Sequence, residues 1–175
     1  MKSVGKQLPE TIDRVAAVEP ALDDSTLGVW ADFLRAHSTL ADVLGRELAE
    51  KAGMPLGWYD VLIQLSATAD GRLRMQELAA AVVLSKSGLT RMVDRLEEAG
   101  LVVRRGCKSD RRVTFAEITP AGTAALRAAR PVHLDGIARH FAAHLGPRDV
   151  EALGSALAAL LAAHGAPGSR AACRG

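Results

Sequence analysis

Hydrophobic residues recur every three or four positions along most of this chain, which is the spacing of amphipathic helices. The first such stripe predicts a helix that is capped by Ser25 or Thr26 and closed by Gly53 and Pro55. Its apolar positions are Trp30, Phe33, Leu34, Leu40, Leu44 and Leu48. A second helix is predicted over residues 58–68. Its inward positions are Val61, Leu62 and Leu65.

The middle of the chain predicts two more helices that are joined by a short junction. One covers residues 75–82, and the other follows a cap at Ser85 and ends at Gly100. Their inward positions are Leu78, Ala79, Leu89, Met92, Val93 and Leu96. The junction, Val82-Val83-Leu84, contains no glycine, so we expect right-handed backbone conformations there.

After Gly100 the pattern changes to that of strands, which are predicted over residues 101–105 and 113–118. A polar hairpin tip joins them. Thr119 and Pro120 then begin a long helix that extends to about residue 145, with a bend near Pro131. A last helix is predicted over residues 148–164. The fold class is therefore mainly α with a small β-hairpin.

Composition narrows the class of protein. The chain has 175 residues, of which 49% are hydrophobic and 24% charged, as in an ordinary globular domain. No apolar stretch is long enough to span a bilayer, and no apolar signal core follows the N-terminus, so no membrane association is expected. The only two cysteines, Cys107 and Cys173, cannot form a disulfide-rich scaffold. The sequence therefore predicts a cytoplasmic protein.

Positive charge is concentrated in one place. The chain has a net charge of only +2, but the stretch from Arg104 to Arg112 holds five basic residues and one acidic residue. This basic stretch covers the end of the first predicted strand and the hairpin tip at residues 106–112, and the two short helices precede it. Together they predict a winged helix-turn-helix, whose second helix enters the major groove of DNA and whose hairpin is the wing.

Hydrogen-bond donors follow the exposed face of that second helix and the wing. Arginine can bond guanine in a bidentate manner, and the negative potential of the minor groove attracts arginine. Lys86 lies where the helix begins and is expected to meet a phosphate. The candidate DNA-binding residues are Ser85, Lys86, Ser87, Thr90, Arg91, Arg95, Lys108, Arg111 and Arg112.

Three segments carry a family resemblance. They are LSKSGLTRMVDRLEEAGLVVRR at 84–105, DRR at 110–112 and ITPAG at 118–122. In this order they resemble the MarR family of bacterial transcriptional regulators, over residues 27–160. The resemblance implies a homodimer, a palindromic operator and repression that a small ligand relieves. It also implies that Arg111 enters the minor groove and that Asp110 steadies the wing by pairing with a nearby arginine, so Asp110 joins the candidate DNA-binding residues. Cys107 departs from the family pattern, because that part of the wing is commonly polar or contains proline.

Apolar surface beyond the needs of a winged helix predicts dimerisation through the first helix and the two C-terminal helices. Leu153, Leu157, Leu160 and Leu161 form the stripe that is best suited to close packing. The predicted organisation is an N-terminal extension with a possible short helix (1–24), a dimerisation helix (25–55), the winged helix-turn-helix (56–119), two C-terminal dimerisation helices (120–164) and a tail (165–175).

A regulatory signal could enter in three ways. The first is a pocket for a phenolic or carboxylate effector, with Arg91 or Arg95 near an anionic group. Its candidate lining residues are Trp30, Leu34, His37, Leu56 and Trp58. The alternative is that the two tryptophans simply belong to the core.

The second signal is zinc, for which His133, His140 and His144 share a face of the long helix and His37 could join them. No fixed set of four ligands is evident, so packed histidines are the alternative and no metal site is assigned. The third signal is oxidation of Cys107, whose basic neighbours favour the thiolate. Peroxide sensors of the family instead use a cysteine near the N-terminus, where this chain has none.

The sequence argues against two other classes of protein. The sequence contains no phosphate-binding glycine loop, nucleophile elbow or catalytic pair, so no enzymatic activity and no cofactor are predicted. A winged helix that serves only as a protein-interaction module would have a neutral recognition face. The arginines on the second helix and in the wing argue against that alternative.

Overall fold

The computed structural model describes residues 22–82, 86–106 and 113–164; for Lys86 only the backbone is described. Six α-helices, one short 3-10 helix and three strands follow one another in this part of the chain. They are α1 (Asp24–Ala52), α2 (Leu56–Ser66), β1 (Arg72–Arg74), α3 (Met75–Ala81), α4 (Lys86–Glu98), β2 (Val102–Gly106), β3 (Thr114–Ile118), α5 (Pro120–His140), the 3-10 helix Ala142–His144, and α6 (Pro147–Ala163). The chain divides into two units, Met1–Thr39 and Leu40–Gly175. The fold class predicted from the sequence, mainly α with a small antiparallel sheet, is confirmed.

The sheet contains a strand that the sequence did not predict. Its order is β1-β3-β2, and both pairs are antiparallel. Leu73 of β1 is partly buried, whereas Arg72 and Arg74 on either side of it are exposed. A strand of three residues is too short to show a periodic signal, and its backbone is held in place by pairing with β3.

Two helix ends differ from the predicted ones. Asp23, rather than Ser25 or Thr26, caps α1, because its Oδ1 accepts a hydrogen bond from the backbone N–H of Thr26 at 2.6 Å. α5 runs through Pro131 but ends at His140, about five residues earlier than predicted, and the chain tightens into the 3-10 helix. A 3-10 turn is a common way for the last carbonyls of a helix to find partners.

One hydrophobic core joins the second half of α1 to the rest of the second unit. The predicted inward residues of α2, α3 and α4 are buried, except that Met92 is partly buried at the edge. The largest side chains below 2% exposure are Leu48, Val61, Leu62, Leu65, Leu78, Leu89, Val93, Leu96 and Val102. This core fixes the inner face of α4 and thereby determines which of its side chains point outward.

Some predicted apolar stripes are not covered within the chain. α6 is described in full and contains no buried residue, and Val150, Leu160 and Leu161 on it are exposed. Leu153 and Leu157 are half-buried. In the first unit, Trp30 and Phe33 are exposed and stack on each other, with ring centroids 6.1 Å apart. Contiguous exposed apolar patches are uncommon on the surfaces of monomeric proteins.

A cluster of charged side chains ties α1 to α5. The guanidinium of Arg139 donates to both carboxylate oxygens of Glu47, and Nε2 of His140 lies 2.9 Å from Oε1 of Glu47. Lys51 adds a longer ion pair, at 3.4 Å. The hydrogen bonds from Arg139, followed by that from His140, hold the pKa of Glu47 well below its usual range.

The depressed pKa of Glu47 predicts a pH-dependent contribution to stability. The contribution is fully present above the ordinary glutamate pKa and is lost as the pH falls towards the lower pKa of the folded state. Urea unfolding at pH 7, 5, 4 and 3 should therefore show Glu47→Gln to be least stable relative to the unmodified protein at pH 7. The difference should shrink as the pH falls. Glu50→Gln, an exposed change on the same helix, is the control. A pH-independent difference for Glu47→Gln would contradict the prediction.

Candidate nucleic-acid interface

The exposed face of α4 is the centre of the candidate interface. Leu89, Val93 and Leu96 are buried on one side of the helix. Ser87, Thr90, Arg91 and Arg95 are exposed on the other, as the sequence predicts. Within the part of the chain that the structure describes, neither arginine is in an ion pair. Both guanidinium groups can therefore bond an external acceptor.

Several candidate residues lie outside the described residues. They are Ser85, Lys108, Asp110, Arg111 and Arg112, together with the proposed redox residue Cys107 and the junction residues Val83 and Leu84. Lys86 is the first residue of α4. Val82 adopts φ −97° and ψ 9°, so the junction begins without a left-handed residue.

Arg104 ties the wing to the recognition helix. Its Nη1 lies 2.7 Å from Asp94 Oδ1 and 2.8 Å from Glu97 Oε2, and its Nη2 donates to the backbone carbonyl of Thr90 at 3.1 Å. The backbone N–H of Arg104 donates to Glu97 Oε1, and this bond is the main cause of the lowered pKa of Glu97. In the sequence, Arg104 belongs to the basic stretch of the predicted hairpin. The structure shows instead that its charge is paired within the protein.

The acids that hold Arg104 had no role in the sequence analysis. Asp94 and Glu97 lie on the recognition helix, where acids would repel phosphates if they faced DNA. Two carboxylates on a helix that otherwise carries DNA-binding residues are the sequence feature that could have indicated an ion pair within the protein. The arrangement makes β2 and α4 one rigid element.

A cleft of about 470 Å³ opens beside α4. It lies between α4, the start of α3 and the strands β2 and β3. Its lining residues are Arg74, Met75, Gln76, Leu89, Thr90, Arg104, Val113 and Thr114. Neither Arg74 nor Gln76 was among the DNA-binding residues predicted from the sequence.

The five candidate effector residues fall into two groups. Trp30, Leu34 and His37 are exposed on the first half of α1. Leu56 and Trp58 on α2 are partly buried and pack against the core. The alternative that the tryptophans are core residues thus describes Trp58 but not Trp30.

The histidines on α5 have separate surroundings. His133 is half-buried, its ring centroid lies 4.3 Å from that of Tyr59, and burial lowers the pKa of its imidazole. His140 hydrogen-bonds Glu47, and His144 lies in the 3-10 helix that follows α5. Since α5 ends at His140, the prediction that His144 shares a face of this helix with His133 and His140 is wrong. No group of three or more potential metal ligands occurs among the residues described.

No helix in the described ranges is long and apolar enough to cross a membrane.

Comparison with known proteins gives a consistent result. The model of the MarR family matches residues 52–113, from the end of α1 to the strands. The HTH-type transcriptional regulator MhqR of Bacillus subtilis is 30% identical over 112 residues, which cover 64% of this chain and 75% of MhqR. The matches in these comparisons are transcriptional regulators and not enzymes.

Two solved structures from Streptomyces coelicolor share the fold. AbsC, a MarR family transcriptional regulator, is 34% identical and superposes with a TM-score of 0.74 over 83% of this chain and 97% of its own. Sco3205, also a MarR family regulator and solved in complex with DNA, is 35% identical with a TM-score of 0.75, over 85% and 95% of the two chains. Since relatives above 30% identity match along most of their length and the fold includes the recognition helix and the wing strands, the chain belongs to the MarR family of DNA-binding transcriptional regulators.

Proposed function

We propose that this regulator is a homodimeric repressor that binds a palindromic operator and is released by a small phenolic or carboxylate ligand. The main support for DNA binding is the exposed face of α4, where Arg91 and Arg95 form no ion pair within the described residues. The core beneath α4 and the ion pairs from Arg104 of β2 to Asp94 and Glu97 of α4 hold that face in position. A rigid helix that presents unpaired guanidiniums is what readout of the major groove requires.

In this proposal, the exposed face of α4 reads the bases, the start of α4 binds the DNA backbone, and the wing enters the minor groove. Arg91, Arg95, Ser87 and Thr90 would face base edges, while Ser85 and Lys86 would meet the backbone. Lys108, Arg111 and Arg112 would place the wing in the minor groove, with Asp110 steadying it. The DNA complex of the related Sco3205 supports this class of ligand for the fold.

Dimerisation is supported by the uncovered apolar face of α6. Val150 and Leu160 are more than half exposed, which is costly for a helix that stays in water. A two-fold dimer would place two recognition helices about 34–36 Å apart, one turn of DNA. That spacing is the reason for expecting a palindromic operator.

Leu160→Glu tests the dimer. Leu160 is 57% exposed in the chain, so its replacement should leave the fold of each subunit intact. A buried charge at a subunit interface is strongly unfavourable, so we expect a shift to monomers in sedimentation at micromolar concentration. Ser155→Glu, which adds the same charge at an exposed position on the side of α6 away from the leucines, is the control. Unchanged dimers with Leu160→Glu would place the interface elsewhere.

The proposed binding of an effector is supported by exposed aromatic and aliphatic side chains on the first half of α1. Trp30, Leu34 and His37 offer an aromatic ring, an aliphatic side chain and an imidazole, which suit a phenolic or carboxylate ligand. Leu56 and Trp58, the other two candidate residues, belong to the second unit. Intrinsic tryptophan fluorescence, recorded while a panel of phenols and aromatic acids is added, is the direct measurement.

The first experiment is selection from a random DNA pool with the purified protein at fixed, near-physiological salt. A palindrome with half-sites about one helical turn apart would support the proposal. It would also supply the probe for measuring ligand release. Enrichment of no sequence would contradict operator recognition and favour the alternative of a protein-interaction module.

A further inference from the structure

The strand β1 brings two arginines to one exposed face of the sheet. Arg72 and Arg74 alternate with the inward Leu73, and Arg74 lies directly opposite Phe115 of β3. The guanidinium carbon of Arg72 lies 5.1 Å from the centroid of the Phe115 ring, and that of Arg74 lies 6.0 Å from it. Phe115 therefore supports both cations at once.

The two arginines differ in how far their charge is neutralised. Arg72 Nε lies 2.6 Å from Asp70 Oδ2, and this bond is the first cause of the lowered pKa of Asp70. Arg74 Nε lies 3.9 Å from Glu77 Oε1, at the outer limit of an ion pair. The Arg74 side chain is 58% exposed. Arg74 is thus the cation with more charge available to an external partner.

Arg74 also lies next to the candidate DNA face. It lines the cleft beside α4 together with Thr90, which belongs to the exposed face of that helix. In the sheet, Phe115 follows Thr114, the residue paired with Gly106 where the wing loop leaves the two strands. Arg74 is therefore at the end of β1 that lies towards the Gly106–Thr114 pair, and it shares a cleft with the recognition helix.

We propose that Arg74, supported by Phe115 and assisted by Arg72, binds a backbone phosphate of the operator beside the segment that α4 reads. This inference rests on the proposed operator binding. A phosphate is favoured over a base edge because Arg74 belongs to a strand held within the sheet, not to an element that projects into a groove. The N–H groups of a guanidinium suit phosphate oxygens and give a contact that does not depend on sequence.

The test measures affinity by fluorescence anisotropy over a series of salt concentrations, on the selected operator and on unrelated duplex DNA. Arg74→Ala should weaken both complexes to a similar extent and lower the slope of log K against log salt by about one. Arg72→Ala should have a smaller effect. Arg127→Ala, which removes an exposed arginine from α5, is the control for net charge. Arg74→Gln keeps a polar side chain but removes the charge, and it should behave as Arg74→Ala does.

Two further variants separate the effect of the arginine charge from that of the Phe115 ring. Asp70→Asn should free Arg72 and tighten binding to both DNA molecules, whereas Asp32→Asn, in the exposed pair with Arg35 on α1, should not. Phe115→Leu retains both arginines but removes the ring, and it should weaken binding in the same direction as Arg74→Ala.

The failure of this inference is distinct from failure of the proposed function. If the unmodified protein binds the operator and both Arg74 variants match Arg127→Ala, the phosphate contact is refuted and operator binding stands. If Arg74→Ala changes the base preference of the selected DNA, Arg74 reads bases and the phosphate assignment is wrong. If the unmodified protein selects no DNA, the proposed function itself fails.

Discussion

Arg91→Ala is expected to lower affinity for the selected operator about 10- to 100-fold and to relax the base preference at one position of each half-site. The reason is that a bidentate arginine–guanine contact discriminates by about 1–3 kcal/mol. Arg91 is exposed on α4 and makes no ion pair in the described chain, so no internal partner is lost with it. The measurement is a repeat of the random-pool selection with the variant, followed by titration of operator and unrelated DNA.

Lys86→Ala is the matched comparison on the same helix. A phosphate contact carries no sequence information, so this variant should weaken binding to all DNA sequences alike and leave the selected palindrome unchanged. Equal, sequence-independent losses in both variants would show that Arg91 binds the backbone. No loss in either would remove the exposed face of α4 from the DNA interface.

Gly122→Ala is expected to destabilise the protein by about 1–3 kcal/mol or more, as for overpacking in a tightly packed site. A Cβ on Gly122 would overlap the carbonyl oxygen of Leu101, a backbone atom that cannot rotate away. The close approach is fixed by Thr119, whose Oγ1 donates to the Gly100 carbonyl at 2.7 Å and accepts from the N–H of Gly122 at 3.0 Å. Urea unfolding gives the midpoint shift. Ala121→Ser adds one atom at the exposed neighbouring position and should change stability by no more than about 0.5 kcal/mol.

This junction matters for function because it joins the wing strands to α5. Thr119 also donates its backbone N–H to the Leu101 carbonyl, so the start of α5 is bonded to the segment between α4 and β2. An unchanged urea midpoint for Gly122→Ala would contradict the predicted loss of stability. It would mean that the start of α5 moves away from the Leu101 carbonyl at little cost, and the displaced wing strands should then lower the affinity for the operator.

Prediction from sequence was most successful where local signals agree. The buried and exposed faces of α4 follow from the 3.6-residue period, and the start of α5 follows from a capping threonine before a proline. The exposed donors of the candidate interface were therefore identified before any fold was known. The resemblance to MarR regulators depended on the same segments.

Prediction was least successful where a residue's role depends on a distant partner. Arg104 was grouped with the basic wing because its neighbours in sequence are basic. Its partners Asp94 and Glu97 are fixed by the packing of β2 against α4. Trp30 and Trp58 were treated alike, although one is exposed and the other packs on the core.

The sequence by itself determined the helices, the wing strands and the outward face of the recognition helix, because periodicity and caps act within a few residues. Only the tertiary structure decided that Arg72–Arg74 forms a strand, that Phe115 supports two arginines and that Glu47 joins Arg139. These contacts join residues that are 41 to 92 positions apart in the chain. Such contacts arise from the packing of whole elements, which no local pattern encodes.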